Sequence, residues 1–309
     1  MELLPPLRPG YSESFPYRMH KSASTQMAFF DEGDRHAPAV LFIHGLGGNR
    51  THFEHVAPPL VARGHRVLGV DLPGCYDSPR DPAEDVRYTV DSFADRIVRL
   101  LDELAIDGVH LAGHSLGGMV ATSAALRWPA RVRSLTIIDG AGFHRYPAPL
   151  ALAARALHPK LVAKVMERFA LRLLLSTFWE HNENVRRFVG QAEGRAPYPT
   201  LDDFAHVACR LLPELAKRNF LDELDRIRLP TLVLWGDEDR LLPFAGVAEW
   251  VARLPNARLH VVRACGHMPI IERPEEVVAE IARHVAAAAP ASSKLTTKSS
   301  TLTDASVAI

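Results

Sequence analysis

A serine that is to act as a nucleophile needs its hydroxyl exposed on a rigid turn, a base to take its proton, and a third group to hold that base. Ser115 meets the first requirement through its neighbours. The run Val109-His110-Leu111-Ala112 leads into Gly113-His114-Ser115-Leu116-Gly117-Gly118, and an apolar-periodic segment follows at once. That pattern reads as strand, sharp turn and helix. A serine at the tip of such a turn takes strained backbone angles, and side chains two positions to either side would collide. Gly113 and Gly117 occupy those two positions, and Gly118 lets the helix approach the strand. The helix N-terminus behind the serine offers N–H groups and the positive end of a dipole to an oxyanion. A glycine-rich strand–helix turn with an incidental serine is the alternative, so the motif must be judged with its partners.

The base is sought late in the chain, on a loop that follows a strand. Of fifteen histidines, His267 in Cys265-Gly266-His267-Met268-Pro269 has that position, with a glycine beside it. The orienting acid is sought after the preceding strand, where Trp235-Gly236-Asp237-Glu238-Asp239-Arg240 offers three carboxylates. Residue types alone leave these three open.

The elements that would position these groups alternate regularly over most of the chain. Gln26–Phe30 reads as a strand and Asp31–Asp34 as the hairpin turn after it, while residues 1–26 leave room for one edge strand near Ser14–Arg18. Ala39–Ile43 is a continuous apolar run, as a strand buried on both faces requires. It ends in His44-Gly45-Leu46-Gly47-Gly48, where the backbone must approach something closely. A helix over Phe53–Ala62, interrupted or restarted at Pro58-Pro59, leads to strand Arg66–Val70 and the turn Asp71-Leu72-Pro73-Gly74. Helical spacing of Val90, Phe93, Ala94, Ile97, Val98, Leu101 and Leu104 predicts a helix over 90–104. Pro129 stops the helix after Ser115, and strand Ser134–Ile138 closes on Asp139-Gly140. The alternation resumes with strand Thr231–Trp235, a helix over Ala245–Leu254, strand Arg258–Val262 and a last helix opened by Pro274.

Between these halves, residues 141–212 show helical patterning and no convincing strand. A parallel crossover needs only a dozen or so residues, so this segment is read as an inserted helical cap. Leu171, Leu173, Leu174, Leu175, Phe178 and Trp179 crowd into one part of it, spread too widely around a helix to share one stripe. Some of them must therefore face the cap's own core or the cleft below. The expected organisation is an α/β core over 1–140 and 213–289, the cap over 141–212, and a disordered tail over 290–309. Within that tail, Ser293-Lys294-Leu295 is internal and carries no weight as a targeting signal.

Composition narrows the class further. Of 309 residues, 47% are apolar and 23% charged, as in a globular chain with a sizeable core. Lys+Arg and Asp+Glu are both 36, so net charge gives no reason to expect nucleic acid or an anionic membrane as a partner through bulk electrostatics. Cys75, Cys209 and Cys265 lack metal-ligand spacing and read as free thiols in a reducing compartment. Met1–Gly10 shows no signal-peptide core, and no apolar run is long enough to span a membrane. A cytoplasmic location is expected, with a small molecule as partner; a homodimer stays open.

At this point the chain resembles the α/β-hydrolase superfamily. Four signatures carry the resemblance: His44-Gly45, Gly113-His114-Ser115-Leu116-Gly117, Gly236-Asp237-Glu238-Asp239-Arg240-Leu241-Leu242-Pro243 and Gly266-His267-Met268-Pro269. They come in the order Ser, Asp, His, and the similarity covers about residues 25–288. It implies a doubly wound, mostly parallel sheet, the α/β-hydrolase fold, with the insert as its cap. Similar family members use the last carboxylate of Gly-x-x-Asp, which is Asp239; some relatives place the acid at the strand end that is Asp139 here. The oxyanion hole then falls to the backbone N–H groups of Leu46 and Leu116, with His44 ordering its loop. His114, Met268 and Phe143 are the candidate substrate contacts. Asp71–Ser78 resembles the family's Asp-x-Pro-Gly-x-Gly-x-Ser turn, with Tyr76 where glycine is usual, which puts the shape of that loop in doubt. Ser78 reads equally well as a turn residue.

The chemistry implied is acyl transfer to water, needing no metal or organic cofactor, on carboxylic esters of small or medium apolar substrates. A serine at the elbow argues against the epoxide hydrolase and haloalkane dehalogenase branches, which use aspartate there. Other readings share the fold: a carbon–carbon bond hydrolase, a lactonase or a perhydrolase. The carbon–carbon hydrolases commonly carry asparagine before the serine and tryptophan after the histidine, where this chain has His114 and Met268. A slow-turnover small-molecule receptor is the reading from outside enzymology.

Overall fold

Nine strands form one sheet in a computed structural model that describes residues 2–3, 17–80, 88–145, 156–192 and 201–288. In chain order they are β1 (Glu2–Leu3), β2 (His20–Lys21), β3 (Ala28–Glu32), β4 (Ala39–Ile43), β5 (Arg66–Val70), β6 (Val109–His114), β7 (Val132–Ile138), β8 (Thr231–Gly236) and β9 (Ala257–Val262). The spatial order is β1-β2-β3-β5-β4-β6-β7-β8-β9, parallel from β5 to β9 and antiparallel at the β1–β2–β3–β5 edge.

Strand β4 reads as an unbroken apolar run because both of its faces are covered. Along β4, Ala39, Leu41 and Ile43 join the core with Phe93, Leu111 and Met119, while Val40 and Phe42 point the other way to Phe53, Leu234 and Ile281. Phe42 stacks on Phe53 with ring centroids 4.7 Å apart. The helices that cover these faces are α1 (Ala57–Ala62), α2 (Val90–Glu103), α3 (Leu116–Arg127), α7 (Val247–Val251), α8 (Pro269–Glu272) and α9 (Pro274–Ala288). Pro58 and Pro59 lie in the first turn of α1, where missing N–H groups cost nothing, so they start the helix and do not break it. A reciprocal Thr89–Ser92 capping box opens α2.

From β4 the chain winds outward to β5 and then returns to place β6 on β4's other side. Loops leaving two such strands diverge at their carboxyl ends and leave a crevice there. Those loops are 44–48 and the turn at Ser115.

Among the described residues between β7 and β8 lie α4 (Pro159–Ser176), α5 (Glu183–Ala192) and α6 (Leu201–Lys217). The excursion closes where the Phe220 N–H donates to the Gly142 carbonyl at 2.8 Å. Helix α6 crosses the expected boundary at 212 because Pro213 sits inside it without ending it. The first strand also differs from expectation. Asp31 and Glu32 belong to β3 and not to a turn, since Asp31 bridges to Arg66 on β5 through contacts of 2.6 and 2.8 Å. The turn begins at Gly33, whose φ is +98°. Of the edge strand expected at Ser14–Arg18, residues 14–16 lie outside the described residues, and Tyr17 and Arg18 are not in a strand. The 290–309 tail also lies outside them. No helix among the described residues is long and apolar enough to cross a membrane.

Candidate active site

Ser115 terminates β6 at φ 53°, ψ −117°, a strained conformation that glycine would adopt freely. Backbone bonds hold it there: its N–H donates to the Ile138 carbonyl at 2.9 Å, and its carbonyl accepts from Gly118 at 2.9 Å and Ala141 at 3.0 Å. The flanking glycines are obligatory. A Cβ on Gly113 would lie 2.1 Å from the Gly117 oxygen, and one on Gly117 would lie 2.0 Å from the Ile43 oxygen. Every residue from Val109 to Ala125 is buried except Ser115, which is partly exposed. The serine is thus offered to the crevice by a wholly packed frame.

Loop 44–48 stacks directly on this turn, since a Cβ on Gly45 would approach the Ser115 Cβ to 2.9 Å. His44 orders the loop. Its Nδ1–H donates to the Gly45 carbonyl at 2.7 Å, and its Nε2 accepts the Leu72 N–H at 2.9 Å. Burial lowers its pKa to about 4, which keeps the ring neutral and this pair of bonds intact. Leu46 and Gly47 are partly exposed at the loop tip while His44 and Gly45 are buried. The Leu116 N–H is at the first position of α3, where no intrahelical acceptor exists.

His267 and Asp239 meet in the interior. His267 Nδ1 is 2.7 Å from Asp239 Oδ2, and both side chains are buried. The other carboxylate oxygen of Asp239 accepts the N–H groups of Leu241 at 2.8 Å and Leu242 at 2.9 Å, which fixes the plane of the carboxylate. With a carboxylate on Nδ1, the proton resides there and Nε2 carries the lone pair. Of the three carboxylates at this strand end, Asp239 holds His267, while Asp237 bonds Arg263 at 3.2 Å.

Asp139 lies in the same cluster, with one ligand-type atom each from Asp139, Asp239 and His267 within 4.8 Å of one another. Its Oδ1 accepts the Gly236 N–H at 2.9 Å, and its Oδ2 has no hydrogen-bond partner among the described residues. Burial and the adjacent Asp239 push its carboxyl well above the usual carboxylate range, which favours its protonated form. A folded pKa raised in this way contributes stability that is complete below about pH 4 and is lost as pH rises through the folded value. Asp139→Asn keeps the acceptor for Gly236 and removes the ionisation. The variant is expected to retain kcat within about tenfold and to gain in Tm over wild type as the pH is raised, in paired thermal melts. A loss of activity far beyond tenfold would make Asp139 the orienting acid.

The remaining sequence candidates divide. His114 Nε2 donates to the His267 carbonyl at 2.7 Å, with ring centroids 4.9 Å apart, so it braces the histidine loop. Its Nδ1 has no partner among the described residues, and burial holds the ring neutral with its pKa well below the usual value. Met268 is buried in the core that holds Phe53, Leu234 and Ile281 and stands at the N-terminal cap of α8. Phe143 is almost fully buried. Its ring stacks on Trp250 at 4.2 Å and leans on Phe220 at 5.8 Å, which makes it part of the packing. Tyr76 keeps the turn it interrupts by adopting a φ of +47°, with the Arg50 guanidinium 5.4 Å above its ring. Ser78 is a turn residue: its hydroxyl donates to the Asp71 carbonyl at 2.7 Å and accepts the Ala28 N–H at 2.8 Å.

The crowded Leu–Trp run also separates. Phe178 is buried against Phe188, Leu174 is half-buried, and Leu173 and Trp179 are exposed. The side chain of Leu171 lies outside the described residues.

One residue that the sequence reading passed over ties this segment to the histidine. Glu272 is buried, and its carboxylate accepts the N–H groups of Trp179 at 2.9 Å, Glu180 at 3.0 Å and Gly266 at 2.9 Å. The His267 N–H donates in turn to the Thr177 carbonyl at 2.7 Å, at the end of α4. In the sequence Glu272 looks like an ordinary surface acid before a helix; burial is its only signal, and burial is not written locally.

Similarity to known proteins bears on the family. The sequence profile of the alpha/beta hydrolase fold matches residues 38–274. A 2-hydroxy-6-oxononadienedioate/2-hydroxy-6-oxononatrienedioate hydrolase of Cupriavidus pinatubonensis is 32% identical over 253 residues, 75% of this chain and 81% of that protein. A pimeloyl-[acyl-carrier protein] methyl ester esterase of Aeromonas hydrophila is 30% identical over 262 residues, 80% of this chain and 94% of its own. Among solved structures, a bacterial membrane phospholipase A superposes with a TM-score of 0.72 at 27% identity, covering 89% of this chain and 87% of that one. The mostly parallel sheet, the elbow after β6 and the span of the family match all lead to one statement: the chain belongs to the alpha/beta hydrolase fold family.

Proposed function

We propose that this hydrolase cleaves carboxylic esters of small or medium apolar substrates through an acyl-enzyme, with Ser115 as nucleophile, His267 as base and Asp239 as its orienting acid. The observation that carries the proposal is the 2.7 Å bond from His267 Nδ1 to an Asp239 carboxylate held by two further backbone N–H groups. Only an imidazole whose tautomer is fixed in this way presents Nε2 to a serine hydroxyl as a base.

In the proposed cycle, His267 Nε2 takes the Ser115 proton as Oγ attacks the ester carbonyl. The developing oxyanion is held by the N–H groups of Leu46 and Leu116, donors fixed before the reaction and therefore without reorganisation cost. His267 then protonates the leaving alcohol and activates water for the second half. Side chains and backbone alone carry every step. The segment 143–219 serves as the cap, α6 packing through Val207, Ala208 and Leu211 on one core and α5 through Val185 and Phe188 on the other. We place the protein in the cytoplasm, where its free cysteines are stable.

The carbon–carbon hydrolase reading has its own support in the Cupriavidus relative. The two are separated by a panel of acetate, butyrate and octanoate esters, lactones and a vinylogous diketone acid. The proposal expects kcat/KM for the short and medium esters to exceed that for the diketone acid by at least about a hundredfold, a difference of roughly 2.7 kcal/mol in transition-state binding. Preference for the diketone acid would transfer the same machinery to carbon–carbon cleavage. Single-turnover kinetics on every substrate would favour a receptor.

A further inference from the structure

Six large apolar side chains are exposed among the described residues, and four of them lie on a single helix. Leu161, Val165, Phe169 and Leu173 of α4 are 56%, 47%, 43% and 48% exposed. Their spacing of four residues sets them in one row along the helix surface. This row is not the face by which α4 is seated. Val162 and Met166 pack against the main core, and Leu174 packs against the other. The helix therefore carries a second apolar stripe that the fold does not use.

One position before each member of that stripe stands a cation: Lys160, Lys164, Arg168 and Arg172, all exposed. A one-residue offset turns about 100° around a helix, so the basic row runs beside the apolar row along its whole length. Among the described residues, no carboxylate pairs with any of these four. The sole acid in the sequence of α4 is Glu167. The protein as a whole has no net charge, so this excess is local.

The other two exposed apolar residues extend the patch from the helix end. Trp179 follows α4 by three residues, with the Arg240 guanidinium 5.0 Å above its ring, and Leu241 comes next after Arg240.

We propose that this face of α4 is a docking surface for an anionic phospholipid bilayer, on which the helix lies parallel to the membrane. An amphipathic helix binds in this way when apolar side chains enter the acyl boundary while adjacent lysines and arginines meet anionic headgroups. The long basic side chains extend from the flank of the stripe to the headgroup level, as snorkelling requires. Charge decides between a bilayer and a second copy of the chain. Pairing two such helices would bury the apolar rows but offers no acidic row to meet either basic one. Docking also has a consequence for the catalytic side. The end of α4 is bonded to the His267 backbone through Thr177, so the bilayer would lie next to the crevice that Ser115 faces.

The test is flotation of the full chain with phosphatidylcholine vesicles, alone and with about 30 mol % phosphatidylglycerol. Binding to the anionic vesicles is expected to be at least about tenfold tighter than to the neutral ones and to weaken steadily with added salt. The Lys164→Gln/Arg168→Gln variant should lose about 25-fold in affinity, near fivefold for each cation. Phe169→Ser should lose about tenfold or more without altering the salt response. All three positions are exposed, and circular dichroism verifies that the variants fold. The proposal is overturned by equal binding to both vesicle types, by no binding at lipid excess, or by wild-type affinity in the Gln/Gln variant. A dimer in sedimentation velocity that Phe169→Ser dissolves would also overturn it, by assigning the stripe to self-association. Wild-type salt dependence decides the matter even if a variant is lost, and no arm of the test uses catalytic activity.

Discussion

Replacing Ser115 by alanine is expected to lower kcat by roughly four to six orders of magnitude while the protein stays folded. The size of the effect follows from the role: without Oγ there is no acyl-enzyme, and what remains is binding and the oxyanion donors. The retained fold follows from the frame. The elbow is held by backbone bonds to Ile138, Gly118 and Ala141, none of which uses the serine side chain. Alanine has the same Cβ at φ 53°, so the backbone strain is unchanged. Steady-state kinetics on a butyrate ester with a parallel thermal melt measures both. Activity kept within about tenfold would remove Ser115 from the chemistry.

The second large effect separates two carboxylates of one loop. Asp239→Asn is expected to cost about 10⁴ in kcat, whereas Asp237→Asn should stay within about threefold. The asymmetry comes from hydrogen-bond direction. The N–H groups of Leu241 and Leu242 both point at Oδ1 of residue 239, so an asparagine there must keep its oxygen on that side. Its NH2 then faces His267 Nδ1, which becomes an acceptor and moves the ring proton to Nε2. An imidazole protonated on Nε2 cannot take the serine proton. Asp237 instead pairs with Arg263, an exposed partner, and has no such consequence. Equal losses in the two variants would show that local charge, and not the tautomer, is what this loop supplies.

How far these features were legible in the sequence depends on whether the signal was local. The Ser115 turn was, because its glycines are required by contacts within a few residues and across to Ile43. The central parallel strands were legible as mostly apolar runs, β4 most plainly, because burial on both faces favours apolar side chains. Asp31 and Glu32 misled for the opposite reason: acids at a strand end look like a turn, but a cross-strand partner in Arg66 keeps them in the ladder. The packing of Phe143 was not legible locally, because its stacking partner Trp250 lies more than a hundred residues away. The same distance hides Asp139, whose carboxyl is raised by burial and by Asp239 arriving from another strand end. The double stripe of α4 was present in the sequence throughout. It became informative once the fold showed which apolar residues were already in use.

The central claim, that Ser115 is the activated nucleophile, is tested most directly by labelling the native protein with a fluorophosphonate and mapping the adduct by peptide mass spectrometry. The phosphonate reacts with a serine whose proton is taken by a base and whose oxyanion is held, so it reports both together. One adduct is expected, on the peptide containing Ser115, and it is lost in His267→Ala. An adduct on any other serine, or none on a preparation that turns over ester, would contradict it.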